Sequence, residues 1–254
     1  LVIQEVYEDQ SQRAASGERF RLDFHLPGRL SNLVWLPQEE AALADDAVEV
    51  QVQATGLNFR DVMYLMGFLP DEAVEKGFAG ASLGLEFAGI VSRVGAHARD
   101  YRPGDKVIGF GSACFASHVV THADAVVPMP GEWSFEAAAT VPTVFFTVYY
   151  ALKHLADLQA GERVLIHGGA GGVGIAAIQL AKYMGAEVFA TAGSDEKRDF
   201  VRLLGANHVF DSRSMSCSSR WRAKQSAAIC LCLNHSVVFW NWASETSTKT
   251  RRLD

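Results

Sequence analysis

Val164-Leu-Ile-His-Gly-Gly-Ala-Gly-Gly-Val-Gly-Ile175 carries an apolar run into an alanine-rich helical stretch through Gly168, Gly169, Ala170, Gly171, Gly172, Val173 and Gly174. Gly168, Gly171 and Gly174 fall at G-x-x-G-x-x-G spacing. Between a strand and a helix, such glycines let the main chain turn tightly and approach a pyrophosphate at the positive end of the helix. A glycine-rich hexamer by itself also suits a plain tight turn, so the strand-to-helix setting is what points to a dinucleotide. All seven residues are therefore candidates for cofactor contact.

The pattern around the loop extends this reading. Downstream, the periodicity predicts a helix from Gly172 to Met184, a strand over Glu187-Val-Phe-Ala-Thr191, a helix from Asp195 to Leu204 and a strand at His208-Val-Phe210. Strands alternating with helices give a parallel sheet. Upstream, Ser134 to Leu155 reads as helix. Phe20-Arg-Leu-Asp-Phe24, Val48-Glu-Val-Gln-Val-Gln-Ala54 and Gly89-Ile-Val-Ser-Arg-Val94 alternate at period two, with turn signals such as Arg102-Pro-Gly-Asp105 between them. The expected fold class is α/β: a β-rich domain over residues 1–125, then a doubly wound parallel sheet over 126–215, incomplete because the pattern breaks off, and an aberrant tail over 216–254.

The end of the second strand addresses which dinucleotide is bound. An NAD site places a carboxylate on the ribose hydroxyls about twenty residues after the loop, whereas this chain has Thr191-Ala-Gly-Ser194. Ser194 can cap the next helix. Lys197 lies in its first turn, where the helix dipole disfavours a cation and a 2′-phosphate would compensate. NADPH is the expected cofactor, with Ser194 and Lys197 as phosphate ligands and Arg213, just past the third strand, as a further one. Asp195 and Glu196 fit ordinary acids at a helix start.

Bulk properties exclude several classes. With 254 residues, 49% hydrophobic, 20% charged and a net charge of −6, the chain has the balance of a globular protein, and its first 215 residues lack the basic clusters that nucleic acid requires. No continuous apolar run approaches the eighteen or so residues that cross a bilayer, and the first residues, Leu1-Val-Ile-Gln-Glu5, carry neither a basic flank nor a cleavage pattern. The expectation is a cytoplasmic protein, and a start without Met suits a segment of a longer polypeptide. Four cysteines, one at Cys114 and three in the tail, give neither a disulfide framework nor zinc spacing.

The loop, with Gly84-Leu-Glu86 and Gly104-Asp-Lys-Val107 upstream, resembles the medium-chain dehydrogenase/reductase superfamily. The resemblance implies a GroES-like domain joined to a Rossmann domain, with the active site in the cleft. Zinc alcohol dehydrogenases of that family ligate metal through a Cys in an early loop and a Gly-His-Glu farther on. The corresponding stretches here are Asn58-Phe-Arg-Asp61 and Gly84-Leu-Glu86. Leu85 cannot bind zinc, so no metal is expected, and His97, His118, His122, His154 and His167 show no ligand spacing. Leu57-Asn-Phe-Arg-Asp-Val-Met63, Gly77-Phe-Ala-Gly80 and Leu83-Gly-Leu-Glu-Phe-Ala-Gly89 are similar in particular to enoyl reductase domains of polyketide and fatty acid synthases. That likeness implies NADPH-dependent reduction of an enoyl thioester presented by an acyl carrier protein, among neighbouring synthase domains. Asn58 is a candidate for lining the nicotinamide site and equally an N-cap. Tyr64 is a candidate proton donor and equally core. Lys197 is a second donor candidate, unless a phosphate contact commits it.

After Met215 the composition changes: the last 39 residues hold three of the five Trp, three of the four Cys and six basic residues against two acidic ones. Reading the last base of each codon with the first two of the next turns Phe239-Trp-Asn-Trp-Ala243 into Leu-Glu-Leu-Gly, whatever synonymous codons were used. Asn234 through Arg251 permit Pro-Phe-Gly-Arg-Phe-Leu-Glu-Leu-Gly-Lys-Arg-Asp-Phe-Tyr-Glu-Asn-Thr, a phrase that resembles the later strands of polyketide enoyl reductases. A frame change soon after Met215 is the expectation, leaving the sheet short of strands with an apolar edge. Three functional readings stay open: an enoyl reductase, an NADPH:quinone oxidoreductase, and a non-catalytic fragment.

Overall fold

The computed structural model describes residues 18–70, 72, 74, 80–213, 228–232 and 238–241. The chain divides into two compact units, Leu1–Thr143 and Val144–Asp254.

In the first unit β1 (Phe20–Phe24) and β2 (Leu33–Pro37) form an antiparallel pair. β3 (Ala47–Thr55), β4 (Glu86–Val94), β5 (Lys106–Phe110), β6 (His118–His122) and β7 (Val126–Pro128) make an antiparallel sheet in the order β6-β3-β4-β5-β7. Val48, Val50, Phe87, Val91, Val107, Val119 and Val126 pack as one core on this sheet. Helix α1 (Phe59–Leu65) follows β3.

Period two assigns Val48 and Val50 to the core and Glu49 to solvent, yet Glu49 is 0% exposed. Its two carboxylate oxygens accept from Arg19 Nη1 (2.6 Å), Arg93 Nε and Nη2 (2.8 and 2.7 Å) and Ser92 Oγ (2.8 Å). Long guanidinium side chains cover the carboxylate, so burial here is ionic rather than apolar. Burial raises the Glu49 pKa, but the Arg93, Arg19 and Ser92 donors outweigh it and hold the carboxyl well below the usual range. A depressed folded-state pKa contributes stability that is present above the ordinary value of 4.5 and lost as pH falls below it. Glu49→Gln is therefore expected to flatten the acid side of the stability profile: between about pH 5 and pH 3 its unfolding midpoint falls less than the wild type's. Thermal unfolding across that range checks this.

The stretch read as a single helix from Ser134 to Leu155 is three pieces: α2 (Phe135–Ala139), α3 (Pro142–Tyr149) and a π-helical turn at Tyr150–Leu155. Ser134 caps α2 through its hydroxyl, which accepts from Ala137 N. Taken together, Phe135–Leu155 is long and apolar enough by length and composition to cross a membrane, which corrects the expectation that no stretch qualifies. The break before Pro142 and the packing argue against a span: Ala138 and Ala139 belong to a core of the first unit, and Val148, Ala151 and Leu152 to the core of the second.

The second unit carries β8 (Arg163–Ile166), α4 (Gly172–Tyr183), β9 (Glu187–Ala192), α5 (Asp195–Leu203), β10 (His208–Asp211), β11 (Ala228–Cys232) and β12 (Val238–Asn241). Its sheet order is β10-β9-β8-β11-β12, parallel except for β12. Ala176, Ala177, Ile178 and Ala181 of α4 share one core with Val164, Ile166, Val188 and Ala190 of the strands. Small side chains let the helix lie close to the sheet.

Two expectations about boundaries are corrected. β7 pairs with β5 in the first sheet, so the first unit runs past residue 125 to Thr143. A strand from the region read as an aberrant tail joins the sheet: Ile229 lies opposite Val164 and Leu231 opposite Ile166, and β12 pairs with β11 in turn. Ala228-Ile-Cys-Leu-Cys232 is a five-residue apolar run, and such a run suits a buried parallel strand. Most of the rest of the tail, including Trp242, lies outside the described residues, as do positions 77–79.

Candidate functional site

In the second unit the main chain leaves β8 at Ile166 and turns at Gly168, whose φ of +69° is the left-handed region that glycine adopts without strain. Gly171 N donates to Gly168 O at 2.9 Å and closes the turn. Gly171 then stands as N-cap of α4 in extended conformation. Gly174, one turn into the helix, passes against the loop so closely that a Cβ there would lie 2.3 Å from Gly168 O and 2.8 Å from Gly169 Cα. The first-turn N–H groups of a helix have no partner within it, which makes this end an anion site.

What fixes the loop from below is Thr191, fully buried at the end of β9. Its main-chain O accepts from Gly169 N (2.9 Å), its Oγ1 from Gly168 N (3.3 Å), and the same Oγ1 lies 3.2 Å from His167 Nδ1. In the sequence Thr191 stands out only as part of the stretch lacking a carboxylate. Its position at the C-terminal end of the neighbouring strand is the signal that it faces the loop.

Beyond β9, Ser194 caps α5, its Oγ accepting from Lys197 N at 3.3 Å. The Lys197 side chain is exposed. Arg198 is engaged with Asp195, with Ala192 O and, at 3.4 Å, with Asp211. Arg213 also turns to Asp211, its N donating to Oδ1 at 2.8 Å. The Arg213 main-chain N–H and guanidinium lead in holding the Asp211 carboxyl below its ordinary range. Asp211 thus engages Arg213, whereas among the described residues no carboxylate is paired with Lys197.

In the first unit, α1 opens at Asn58, which is extended (φ −106°, ψ 147°). Asn58 and Asp61 face each other as in a capping box. Asp61 Oδ2 accepts from Asn58 N (3.1 Å), while Asp61 N goes to the main-chain O of Asn58 (2.9 Å). Asp61, 3% exposed, also accepts from Gly84 N through Oδ1 at 2.9 Å. Asn58 Nδ2 donates to Glu86 Oε1 (2.8 Å), and Thr143 N donates to Glu86 Oε2 (2.7 Å). Glu86 lies against Gly56, where a Cβ would sit 2.4 Å from Oε1. Gly84, at φ +87°, comes so close to the Cys114 and Phe115 main chain that a Cβ would be 2.9 and 2.6 Å from their nitrogens.

Tyr64 packs edge-on to Phe24 at 5.0 Å, with the Arg60 guanidinium 4.8 Å from its ring centre. Arg60 also donates to the carbonyls of Ser82 and Gly80. Burial raises the Tyr64 pKa and Asp23 adds to the rise, outweighing Arg60. The phenol is thus held in its protonated form, and its tuning runs toward a weaker acid.

Two family models match: the alcohol dehydrogenase GroES-like domain over residues 44–131, and the zinc-binding dehydrogenase domain over 172–239. The spectinabilin polyketide synthase system protein NorB of Streptomyces orinoci is 46% identical over 198 residues, 76% of this chain and 9% of that protein. The pikromycin polyketide synthase component PikAII of Streptomyces venezuelae is 41% identical over 82% of this chain and 6% of its own length. Among solved structures, CurK enoyl reductase aligns with a TM-score of 0.72 and 41% identity over 77% of this chain and 60% of its own. The chain belongs to the medium-chain dehydrogenase/reductase family. Within it, the chain is of the polyketide synthase enoyl reductase domain type, with a GroES-like domain followed by a Rossmann domain. It spans a tenth or less of the length of the synthases it matches.

Escherichia coli quinone oxidoreductase complexed with NADPH also aligns, with a TM-score of 0.66 and 32% identity over 78% of this chain and 60% of that one. In this chain the residue after Gly84 is Leu85, and among the described residues no group of three or more His, Cys, Asp or Glu could hold a metal. The Rossmann family match runs on to residue 239, past Met215, where the sequence pattern was read as stopping. The glycine loop, Ser194, Lys197 and Arg213 fall in one unit, and Asn58 and Tyr64 in the other.

Proposed function

We propose that the reductase saturates the 2,3 double bond of an enoyl thioester carried by an acyl carrier protein, with NADPH as its cofactor. The observation that carries the cofactor assignment is the glycine loop held on Thr191 and followed, after β9, by Ser194 and the exposed Lys197 instead of a carboxylate. Loop N–H groups bind the pyrophosphate, and the Ser194 hydroxyl and Lys197 ammonium hold the 2′-phosphate. The bound nicotinamide would supply hydride to Cβ of the substrate. Charge then rests on the thioester oxygen until Cα takes a proton. Tyr64 and Lys197 are the two candidate donors of that proton, and Tyr64→Phe set against Lys197→Met separates them by which one loses turnover while keeping NADPH affinity. Neighbouring synthase domains and a cytoplasmic location follow from the same reading.

Lys197→Ala is expected to weaken NADPH binding about tenfold and to leave NADH binding within about twofold, because it removes one charge-assisted contact to a group that NADH lacks. Cofactor fluorescence titrations check this. The activity itself is tested by mixing the chain with NADPH and either a crotonyl thioester or a quinone and following cofactor absorbance. Oxidation with the thioester supports the proposal. Oxidation with the quinone alone supports the second reading, which the likeness to the E. coli quinone oxidoreductase favours. Oxidation with neither supports a non-catalytic fragment. For residues 216–254 we propose translation in a shifted frame, supported by the forced decoding of Phe239-Trp-Asn-Trp-Ala243. Sequencing the coding DNA tests it, and codons that do not spell the later-strand phrase overturn it.

A further inference from the structure

β8 ends at Ile166, which pairs in parallel register with Ala190 of β9. The next residues, His167 and Thr191, therefore come side by side where the chain enters the glycine loop. The Thr191 side chain is fully buried, and its Oγ1 lies 3.3 Å from Gly168 N and 3.2 Å from His167 Nδ1. Thr191 O separately accepts from Gly169 N at 2.9 Å, so one residue pins two successive loop amides, both within the second unit.

A hydroxyl has one hydrogen to give and two lone pairs to receive with. Gly168 N–H can only donate, so it occupies a lone pair. The hydroxyl hydrogen, in a side chain closed to water, needs an acceptor, and among the described residues His167 Nδ1 is the one placed on it. An imidazole with its hydrogen on Nδ1 would set two donors on Oγ1 and leave the Thr191 hydrogen without that acceptor. We infer that His167 is a positioning residue: as a neutral imidazole with its hydrogen on Nε2, it accepts from the Thr191 hydroxyl and so turns a lone pair of Oγ1 onto Gly168 N–H, holding the entrance of the glycine loop. Resting on the proposed function, His167 acts on NADPH through the shape of that loop.

The geometry dictates how substitutions behave. Asparagine carries Oδ1 at the branch where histidine has Nδ1, so His167→Asn keeps an acceptor for the hydroxyl. His167→Phe keeps a ring and loses the acceptor. Thr191→Val keeps the shape of the threonine and loses the hydroxyl. Once phenylalanine has removed the acceptor, the hydroxyl is no longer oriented, and adding Thr191→Val to His167→Phe should cost less than Thr191→Val costs alone.

The experiment uses the full chain and reads three quantities: the nitrogen resonances of the His167 ring, amide hydrogen exchange at Gly168 and Gly169, and NADPH affinity by fluorescence. In the wild type the neutral ring should show Nδ1 bare and Nε2 carrying the hydrogen. His167→Phe and Thr191→Val should each speed exchange at Gly168 about tenfold and leave Gly169, held by a main-chain oxygen, within about threefold. Each should weaken NADPH binding about tenfold, and His167→Asn should stay within about threefold of the wild type. A residue that merely fills space would not separate asparagine from phenylalanine in this direction. A hydrogen on Nδ1 in the wild type overturns the inference, and this spectrum needs no variant to fold. Unchanged exchange at Gly168 in His167→Phe, or His167→Asn as impaired as His167→Phe, overturns it as well. Unchanged NADPH affinity in His167→Phe overturns the role toward the cofactor. A wild-type chain that binds no NADPH overturns the proposed function, and the ring spectrum with the Gly168 exchange still decides whether His167 holds the loop.

Discussion

Replacing Gly174 by alanine is expected to abolish NADPH binding, weakening it by about a hundredfold or more, and to lower the unfolding free energy by about 3 kcal/mol. The added Cβ would lie 2.3 Å from Gly168 O, 2.8 Å from Gly169 Cα and 2.9 Å from Gly169 C. All three are main chain, so no rotamer relieves the overlap. The loop cannot simply lift, because Gly169 N is bound to Thr191 O at 2.9 Å and Gly171 N to Gly168 O at 2.9 Å. The helix cannot back away either, because Ala176, Ala177 and Ile178, just beyond Gly174, are buried against β8 and β9. Gly172→Ala is the control for stability: its nearest neighbour would be Val144 Cγ1 at 3.8 Å, an ordinary contact. Its unfolding midpoint should match the wild type or rise slightly, since alanine is the better helix former. Cofactor fluorescence and thermal unfolding separate the two variants. Equal behaviour would mean that Gly174 is present for reasons other than close approach.

The contrast between Gly174 and Thr191 explains how much of this molecule was legible in advance. The loop was readable because glycine spacing, an apolar strand and an alanine-rich helix are local signals, and the elements from Val164 to Phe210 fall within a residue or so of their expected positions. Thr191 holds the loop across 23 positions in the chain, and no local pattern encodes such a bond. Glu49 failed for a related reason: alternation sends it to solvent, and only the arrival of Arg19 and Arg93 from 30 and 44 positions away makes its burial tolerable. The three-residue strand Val126–Pro128 is too short for period two to register, so alternation does not reveal that the first unit runs on to Thr143. The change of composition after Met215 hides strand Ala228–Cys232, although its apolar character suits a strand beside β8. In the first unit the sequence singled out Asn58 by resemblance. No local pattern marks the two buried carboxylates that give it its setting, Asp61 and Glu86.

Asp61→Ala is expected to lower the unfolding free energy by about 3 kcal/mol, with a fall in the thermal midpoint of about 10 °C. Asp61 is 3% exposed, and its two oxygens accept from main-chain N–H groups 23 and 3 positions away, Gly84 and Asn58. Neither donor can rotate to a new partner. Gly84 in particular is held at φ +87° with the Cys114 and Phe115 main chain pressed against it. Alanine would leave both donors without that acceptor in a site too closed for ready hydration, and an orphaned buried donor costs more than the bond contributed. Asp61→Asn should recover part of the loss, because its oxygen can serve one N–H while its NH2 opposes the other. The pH dependence gives a second readout of opposite sign to that of Glu49. Burial raises the Asp61 pKa, and the Gly84 and Asn58 N–H groups with Arg60 only partly offset it. A raised folded-state value contributes stability that is present below the ordinary value of 3.8 and lost as pH rises through the folded value. Removing the titration in Asp61→Asn should therefore steepen the net loss of stability on acidification, whereas Glu49→Gln flattens it. If both variants shift the acid limb in the same direction, the two carboxyls do not occupy the opposed environments set by burial at Asp61 and by the Arg93, Arg19 and Ser92 donors at Glu49.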